Sequence, residues 1–278
     1  MTTKYSRTIA LIGGTGLAQG LSGFLENLRI YENVEIEFGA ERGRILLYTE
    51  GFYQDTRIIV LPRHGPTLNL PDRSPATLVS EKGYEAHIWL LYTLGVDAVY
   101  AFSAVGAIDL EIPLASELCF LVPNNYGRGM GATTHSFGKI AKVVHPSMRE
   151  PFSPILRQQA IEAIEAVGAN VIPEGLYIYS GPDQFETDAE IRAIKNLYAG
   201  EKNRVVGMTT GPELVLCKQM MIPYVVICSN SNYAQGLVVD ESVSHELTLD
   251  VMKIAFPTLI NIARQIVQTA AMAIRNHS

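Results

Sequence analysis

Residues 8–17 read Thr8-Ile9-Ala10-Leu11-Ile12-Gly13-Gly14-Thr15-Gly16-Leu17, an apolar run that passes directly into a glycine-rich turn. A run with no polar face predicts a strand covered on both sides of a sheet. The signature recurs, and strands are expected near 8–12, 44–49, 57–61, 98–102, 117–122, 175–179, 204–208 and 224–229. Helical spacing fills the intervals at 76–94, 157–167, 189–198, 212–220 and 242–255. Pro257, read as a first-turn residue, opens a last helix to about 274. Strands alternating with helices predict an α/β fold: a single three-layer domain over residues 1–278, its mixed, largely parallel central sheet flanked by helices. No linker, repeat or low-complexity tract divides the chain, and 127–131 (G-R-G-M-G) reads as its most flexible loop.

Composition narrows the class. The 278 residues are 47% hydrophobic, enough for a sizeable core and against a disordered or collagen-like chain. With 22 Lys+Arg against 28 Asp+Glu the net charge is −6, and no basic stripe marks a nucleic-acid surface. Lys4 and Arg7 before an apolar stretch imitate a signal peptide, but Gly13, Gly14 and Gly16 and the lack of a small-residue cleavage site argue for a strand and loop. No apolar run reaches the roughly 18 residues of a membrane span. Cys119, Cys217 and Cys228 lie in apolar runs without paired spacing, as buried thiols in a reducing compartment do. The expectation is a cytoplasmic protein with neither nucleic-acid nor membrane partners.

In such sheets ligands gather where strands end. The first strand ends in Gly13-Gly14-Thr15-Gly16, whose successive backbone N–H groups and hydroxyl suit an anion. The third ends in Arg63-His64-Gly65, the fourth in Ser103-Ala104-Val105-Gly106, and the seventh in Met208-Thr209-Thr210-Gly211 before a helix that Pro212 opens. Together these ends offer hydroxyls, backbone donors and a planar guanidinium, the donor set for a phosphate-sized oxyanion. A dinucleotide site with Glu35 or Glu37 as the ribose acid fits less well, because Gly20 breaks the third spacing and no clear helix follows.

The motifs G-G-T-G-L at 13–17, R-H-G at 63–65, S-A-x-G at 103–106, E-P-F-S-P-x-L-R at 150–157, F-E-T at 185–187 and M-T-T-x-P-E at 208–213 stand in an order that resembles the trimeric nucleoside phosphorylases. The likeness to purine nucleoside and 5′-methylthioadenosine phosphorylases continues through N-Y-A at 232–234 and S-H-E at 244–246, nearly the whole chain. It implies phosphorolysis of a purine nucleoside in a homotrimer, with inorganic phosphate as co-substrate and neither metal nor other cofactor. Phosphate would be bound by Thr15, Arg63, His64, Ser103, Ala104 and Thr209. Phe185, Glu186, Met208, Asn232 and His245 would hold the nucleoside, and Asn232, His64 and Thr209 would be the catalytic groups.

Departures from the family pattern matter too. Leu68 stands where a second histidine is common, and Gly83-Tyr84-Glu85-Ala86-His87 replaces N-Y-R-A-N, which predicts a weaker phosphate site at Glu85. The loop Gly181-Pro182-Asp183-Gln184-Phe185-Glu186-Thr187 carries one extra residue. The layout of the motifs points to a 5′-methylthioadenosine-type substrate. Asn232, Glu186 and His245 look more like a 6-oxopurine pocket, for inosine, guanosine or methylthioinosine. A nucleoside-binding protein without turnover is the reading from a different class. His135 and His145 fall in the loop region that family trimers bring to a neighbour's 5′ pocket, whereas Trp89 reads as helix core.

Overall fold

The structure, a computed structural model, describes residues 7–14, 17–65, 73–138, 145–238 and 244–275. Strand β1 (Arg7–Gly13) sends alternate side chains to opposite faces, and both faces are covered. Ile9 and Leu11 enter one hydrophobic cluster and Ala10 and Ile12 another, all completely buried. That is why the run carries no polar residue. β1 lies between two parallel neighbours, β4 (Thr56–Pro62) and β5 (Ala98–Ala107). Beyond β4 come β3 (Glu41–Tyr53) and β2 (Glu26–Phe38), both antiparallel.

The sheet forks at β5. On one side β5 pairs in parallel with β11 (Tyr224–Tyr233), which leads to β6 (Cys119–Leu121) and β8 (Asn170–Ile172). On the other side β5 pairs with β1 through Ala98–Ala101 and with the antiparallel β10 (Arg204–Gly207) at Gly106 and Ala107. β9 (Leu176–Tyr179) and β7 (Asn125–Arg128) extend from β10. Between the two partners, residues 102–105 have no strand beside them on that flank among the described residues. The opening lies at the carboxyl end of β1, where α/β sheets place their ligands.

Helices α1 (Leu17–Ser22), α4 (Pro154–Ala166) and α7 (His245–Arg275) cover one face, around Leu21, Leu156 and Leu259. The opposite face carries α2 (Pro75–Ser80), α3 (Gly83–Thr93) and α6 (Thr210–Gln219), around Leu78, Ile88 and Leu214. A smaller cluster seats α5 (Asp188–Leu197) against β9 and β10. The expected three-layer α/β domain with a mixed sheet is the observed one, and Cys119, Cys217 and Cys228 are buried free thiols.

Several elements differ from expectation. The helix expected over 76–94 is two helices, because Lys82 takes a left-handed conformation (φ 56°) and Gly83 restarts the chain. Pro257 opens no helix and instead sits inside the 31-residue α7. There the burial of Met252, Ala255, Leu259, Ile262, Ile266 and Val267 outweighs one missing hydrogen bond. A six-residue helix, α1, does follow the glycine-rich turn. Gly127 and Arg128, expected in a loop, belong to edge strand β7. β5 and β11 run several residues past the expected ends and carry Ser103 and Ala104 in their ladder, with Asn232 just past a register shift after Asn230. Strand β2 is the largest addition: a charge-rich, mostly exposed ribbon kinked at Asn27 and Asn33, both at positive φ.

Candidate active site

The opening at the fork is a cleft of about 340 Å³. Gly14 reaches it from the end of β1, Arg63 and His64 from the end of β4, and Ser103 and Ala104 from β5. Met208 and Thr209 arrive from the β10–α6 turn, Phe185 and Glu186 from the loop before α5, and Asn232 from β11. Residues spread over 14–232 in sequence thus converge because the strands carrying them end, or bend, at one fork.

Arg63 is 1% exposed and heavily anchored. Its Nε and Nη2 donate to the two carboxylate oxygens of Glu213, the latter over 3.1 Å, and Nη1 donates to the Phe102 carbonyl at 3.2 Å. The Tyr224 hydroxyl donates to Glu213 Oε2 at 2.7 Å. Burial pulls the guanidinium pKa down, but the Glu213 carboxylate outweighs it and holds Arg63 above its ordinary value. Three of the five guanidinium N–H groups are so committed, which fixes the plane of the remaining two. His64 donates Nδ1–H to the Arg73 carbonyl at 2.9 Å, which sets its tautomer and leaves Nε2 as the second ring nitrogen.

Thr209 precedes the first turn of α6, and its hydroxyl makes no capping bond. It stands instead 3.2 Å from the Ser103 hydroxyl, inside the fork. The backbone N–H groups of Thr209 and Thr210 donate to the Tyr177 hydroxyl, at 3.5 and 3.3 Å. Burial pushes that phenol up to about 12, so it meets them as a neutral acceptor. The start of α6 therefore offers the cleft a hydroxyl rather than those two amides. With Arg63, the Ser103 hydroxyl and the Gly14 backbone, it makes a small donor-rich end suited to an oxyanion.

The other end of the cleft is flatter and more apolar. Phe185, 39% exposed, lies at its rim, and Met208 is half-buried. Glu186 is nearly buried and accepts from the Ser180 hydroxyl. Burial raises its carboxyl pKa, and the Ser180 hydrogen bond only partly opposes that. Asn232 Nδ2 donates to the Tyr233 carbonyl at 3.0 Å and its Oδ1 accepts from the Ser231 hydroxyl at 2.9 Å. That leaves one N–H donor and one lone pair of the amide for a ligand. A separate, small apolar cavity adjoins the cleft, sharing Gly14, Ser103, Ala104 and Thr248 and walled by Leu17, Leu249 and Met252.

Nine of the eleven expected site residues, Arg63, His64, Ser103, Ala104, Phe185, Glu186, Met208, Thr209 and Asn232, line this one cleft. Thr15 and Leu68 fall outside the described residues, and His245 opens α7 without a described side chain. Glu85 corrects an expectation: its carboxylate faces His135 Nδ1 at 3.1 Å and does not line the cleft, so it puts no charge beside the oxyanion end. His135 is buried in that pair, while His145 is exposed. Trp89 packs on Phe38 and Phe137, as a core residue does. Thr187 and Glu190 form a reciprocal cap on α5, consistent with a solvated helix start there.

Sequence reasoning missed Ser74, Pro75, Ser231 and Thr248 in the lining, and the anchoring of Arg63 by Glu213. Ser74 had a readable signal, since Ser74-Pro75 is a helix-start pair and the Ser74 hydroxyl accepts from Thr77 N–H. Among the described residues no group of three or more His, Cys, Asp or Glu is placed to hold a metal ion, and no helix is long and apolar enough to cross a membrane.

Comparison with known proteins gives a consistent picture. Residues 8–268 match the family described as the phosphorylase superfamily. A Thermococcus kodakarensis protein named "Probable 6-oxopurine nucleoside phosphorylase" is 33% identical over 235 residues, 82% of this chain and 80% of its own. A Methanocaldococcus jannaschii protein named "Probable S-methyl-5'-thioinosine phosphorylase" is 31% identical, again over 82% of this chain and 80% of its own. Among solved structures, methylthioadenosine phosphorylase from Schistosoma mansoni in complex with adenine superposes with a TM-score of 0.79, covering 96% of this chain and 93% of that one. Its 22% identity makes this a likeness of fold.

Proposed function

The chain belongs to the phosphorylase superfamily, and from that premise we propose that it cleaves the N-glycosidic bond of a purine nucleoside with inorganic phosphate, releasing free base and pentose 1-phosphate. The observation that carries the reading is the pairing of two ends in one cleft. Arg63, Ser103 and Thr209 converge at one, and Phe185, Glu186 and Asn232 flank the other. Phosphate is held by Arg63, His64, Ser103, Ala104 and Thr209, with Thr15 completing the glycine-rich turn. The base lies against Phe185, with Met208 under the ribose and His245 toward the 5′ position.

In the reaction a phosphate oxygen forms a bond to the anomeric carbon as the carbon–N9 bond breaks. The bonding pair leaves with the purine, and positive charge builds on the ribose between them. Anchored donors that meet this charge redistribution lower the barrier, because they are already oriented before it occurs. The free N–H of Asn232 meets the negative charge that grows at purine N7. Phosphate itself is the nucleophile and leaves as pentose 1-phosphate, so the proposed chemistry calls for no metal or further cofactor.

The first reading of the substrate is a 5′-methylthioadenosine-type nucleoside, supported by the small apolar cavity under Leu17, Leu249 and Met252, which suits a thioether better than a hydroxyl. A specific feature favours a 6-oxopurine base as the second reading. Asn232 is an amide and cannot gain a proton, so it serves an N7 or O6 acceptor, while Glu186 accepts from a purine N1–H when ionised. The homotrimer rests on the motif resemblance, and the cytoplasmic setting on three buried free thiols. The test is incubation with methylthioadenosine, methylthioinosine, inosine and adenosine, with and without phosphate, following base release chromatographically. Release only with phosphate, and faster for methylthio nucleosides, is expected; no release from any of the four contradicts the reading.

A further inference from the structure

Glu85 lies in the first turn of α3, and its side chain is 4% exposed. A buried carboxylate far from solvent needs a reason. Its Oε1 meets His135 Nδ1 at 3.1 Å; His135 Nε2 meets the Thr133 hydroxyl at 2.8 Å; Thr133 Oγ1 meets the Tyr179 hydroxyl at 2.5 Å. Tyr179 is the last residue of β9, and the next residue, Ser180, holds Glu186 at the base end of the cleft. The same segment clasps that corner by its backbone. Gly129 N–H donates to the Tyr179 carbonyl at 2.8 Å, and a side chain on Gly129 would stand 2.9 Å from the Ser180 Cα.

With Glu85 ionised and His135 neutral, proton accounting gives this chain one direction. An ionised Glu85 can only accept, so His135 must carry its proton on Nδ1. The Nε2 of a neutral imidazole then accepts from the Thr133 hydroxyl, whose oxygen accepts from Tyr179. One charge therefore orients every hydroxyl and ring up to the residue that precedes Ser180, and hydrogen bonds aligned head to tail reinforce one another. Protonating Glu85, or replacing it with glutamine, puts a donor beside the acceptor and no longer forces that order.

We propose that Glu85, acting through His135, Thr133 and Tyr179, is a positioning residue for Glu186 and so for recognition of the purine base. The proposal rests on the reading of the cleft as a purine nucleoside site. Glu85 touches no ligand; it holds the corner from which the base-facing loop departs. Phosphate binding, at the opposite end of the cleft, does not depend on it.

The test is calorimetric titration of the whole protein with hypoxanthine, adenine and inorganic phosphate separately. Glu85→Gln, Thr133→Val and Tyr179→Phe should each weaken purine binding about tenfold, the usual effect of breaking a buried hydrogen bond. Phosphate affinity should stay within about twofold, and Thr133→Ser, which restores the hydroxyl, should recover base binding. Thr133→Val and Tyr179→Phe remove one hydroxyl each without exposing a charge, so they decide the matter even if Glu85→Gln does not fold. Purine and phosphate affinities falling together, or purine affinity unchanged in both hydroxyl variants, would overturn the relay. Binding requires no turnover, so the outcomes separate: a wild-type chain that binds no purine defeats the reading of the cleft, whereas variants that bind as well as wild type defeat the relay alone.

Discussion

Arg63 and Glu213 lie 150 residues apart in sequence, and both side chains are 1% exposed where they meet. A buried cation is tolerable there because its counter-charge is buried with it, and removal of one partner strands the other. Glu213→Ala should therefore cost about 3–5 kcal/mol in chemical denaturation; a loss under about 1 kcal/mol would mean that the pair is not the anchor described. Glu186 gives a pH prediction. Burial raises its folded carboxyl above the ordinary 4.5, so the folded chain keeps this proton after the unfolded chain has released it. Stability then falls as pH rises from about the unfolded value through the folded one, and Glu186→Gln should flatten that fall relative to wild type. Parallel stability–pH curves for the two proteins would contradict the assignment. Asn232→Asp should shift relative kcat/KM toward 6-aminopurine nucleosides by about tenfold or more, since an acid can both accept from the amino group and, when protonated, donate to N7. At this scale the sequence was informative wherever a cleft-lining residue sat in a strand-end motif, as with Arg63, Ser103 and Thr209. It was silent on the pairing of Arg63 with Glu213, because a contact spanning 150 residues leaves no trace in spacing.

At the scale of elements, the strands buried on both faces were readable from their continuous apolar runs, 9–12 in β1 and 58–61 in β4. β2 was not, since E-N-L-R-I-Y-E-N-V-E-I-E-F is charge-rich and mostly exposed, held by its ladder with β3, by the Tyr31–Tyr48 stack at 4.4 Å and by the burial of Phe38 at its end. Helix ends were misplaced where tertiary contact overrode local signals: Lys82 adopts a conformation unusual for its type, and Pro257 is carried by the buried face of α7. The first turn of α6 shows how close such packing becomes. A methyl group on Gly211 would overlap the ring of Tyr179, which is fully buried and cannot move aside. Gly211→Ala should lower stability by about 1–3 kcal/mol, measurable as a lower melting temperature; an unchanged melting temperature would show that the turn has slack.

For the whole molecule, the fork at β5 is the feature from which the function follows. β5 exchanges β1 for β10 along its length, and the gap gathers the donors of Arg63, Ser103 and Thr209 and the flatter surface of Phe185, Met208 and Asn232 into one cleft. The acidic balance of the chain, −6 overall, is compatible with this, because the anion is met by fixed local donors rather than by a basic surface. The proposed homotrimer should show in light scattering as three times the chain mass, and a stable monomer would contradict that proposal. The central claim is that phosphate, not water, receives the pentose. Its most direct measurement is the stoichiometry of phosphate consumed to purine base released, under conditions of full turnover. The account predicts one phosphate consumed and one pentose 1-phosphate formed per base, with no base released when phosphate is withheld. Base released without phosphate consumption, leaving free pentose, would contradict it.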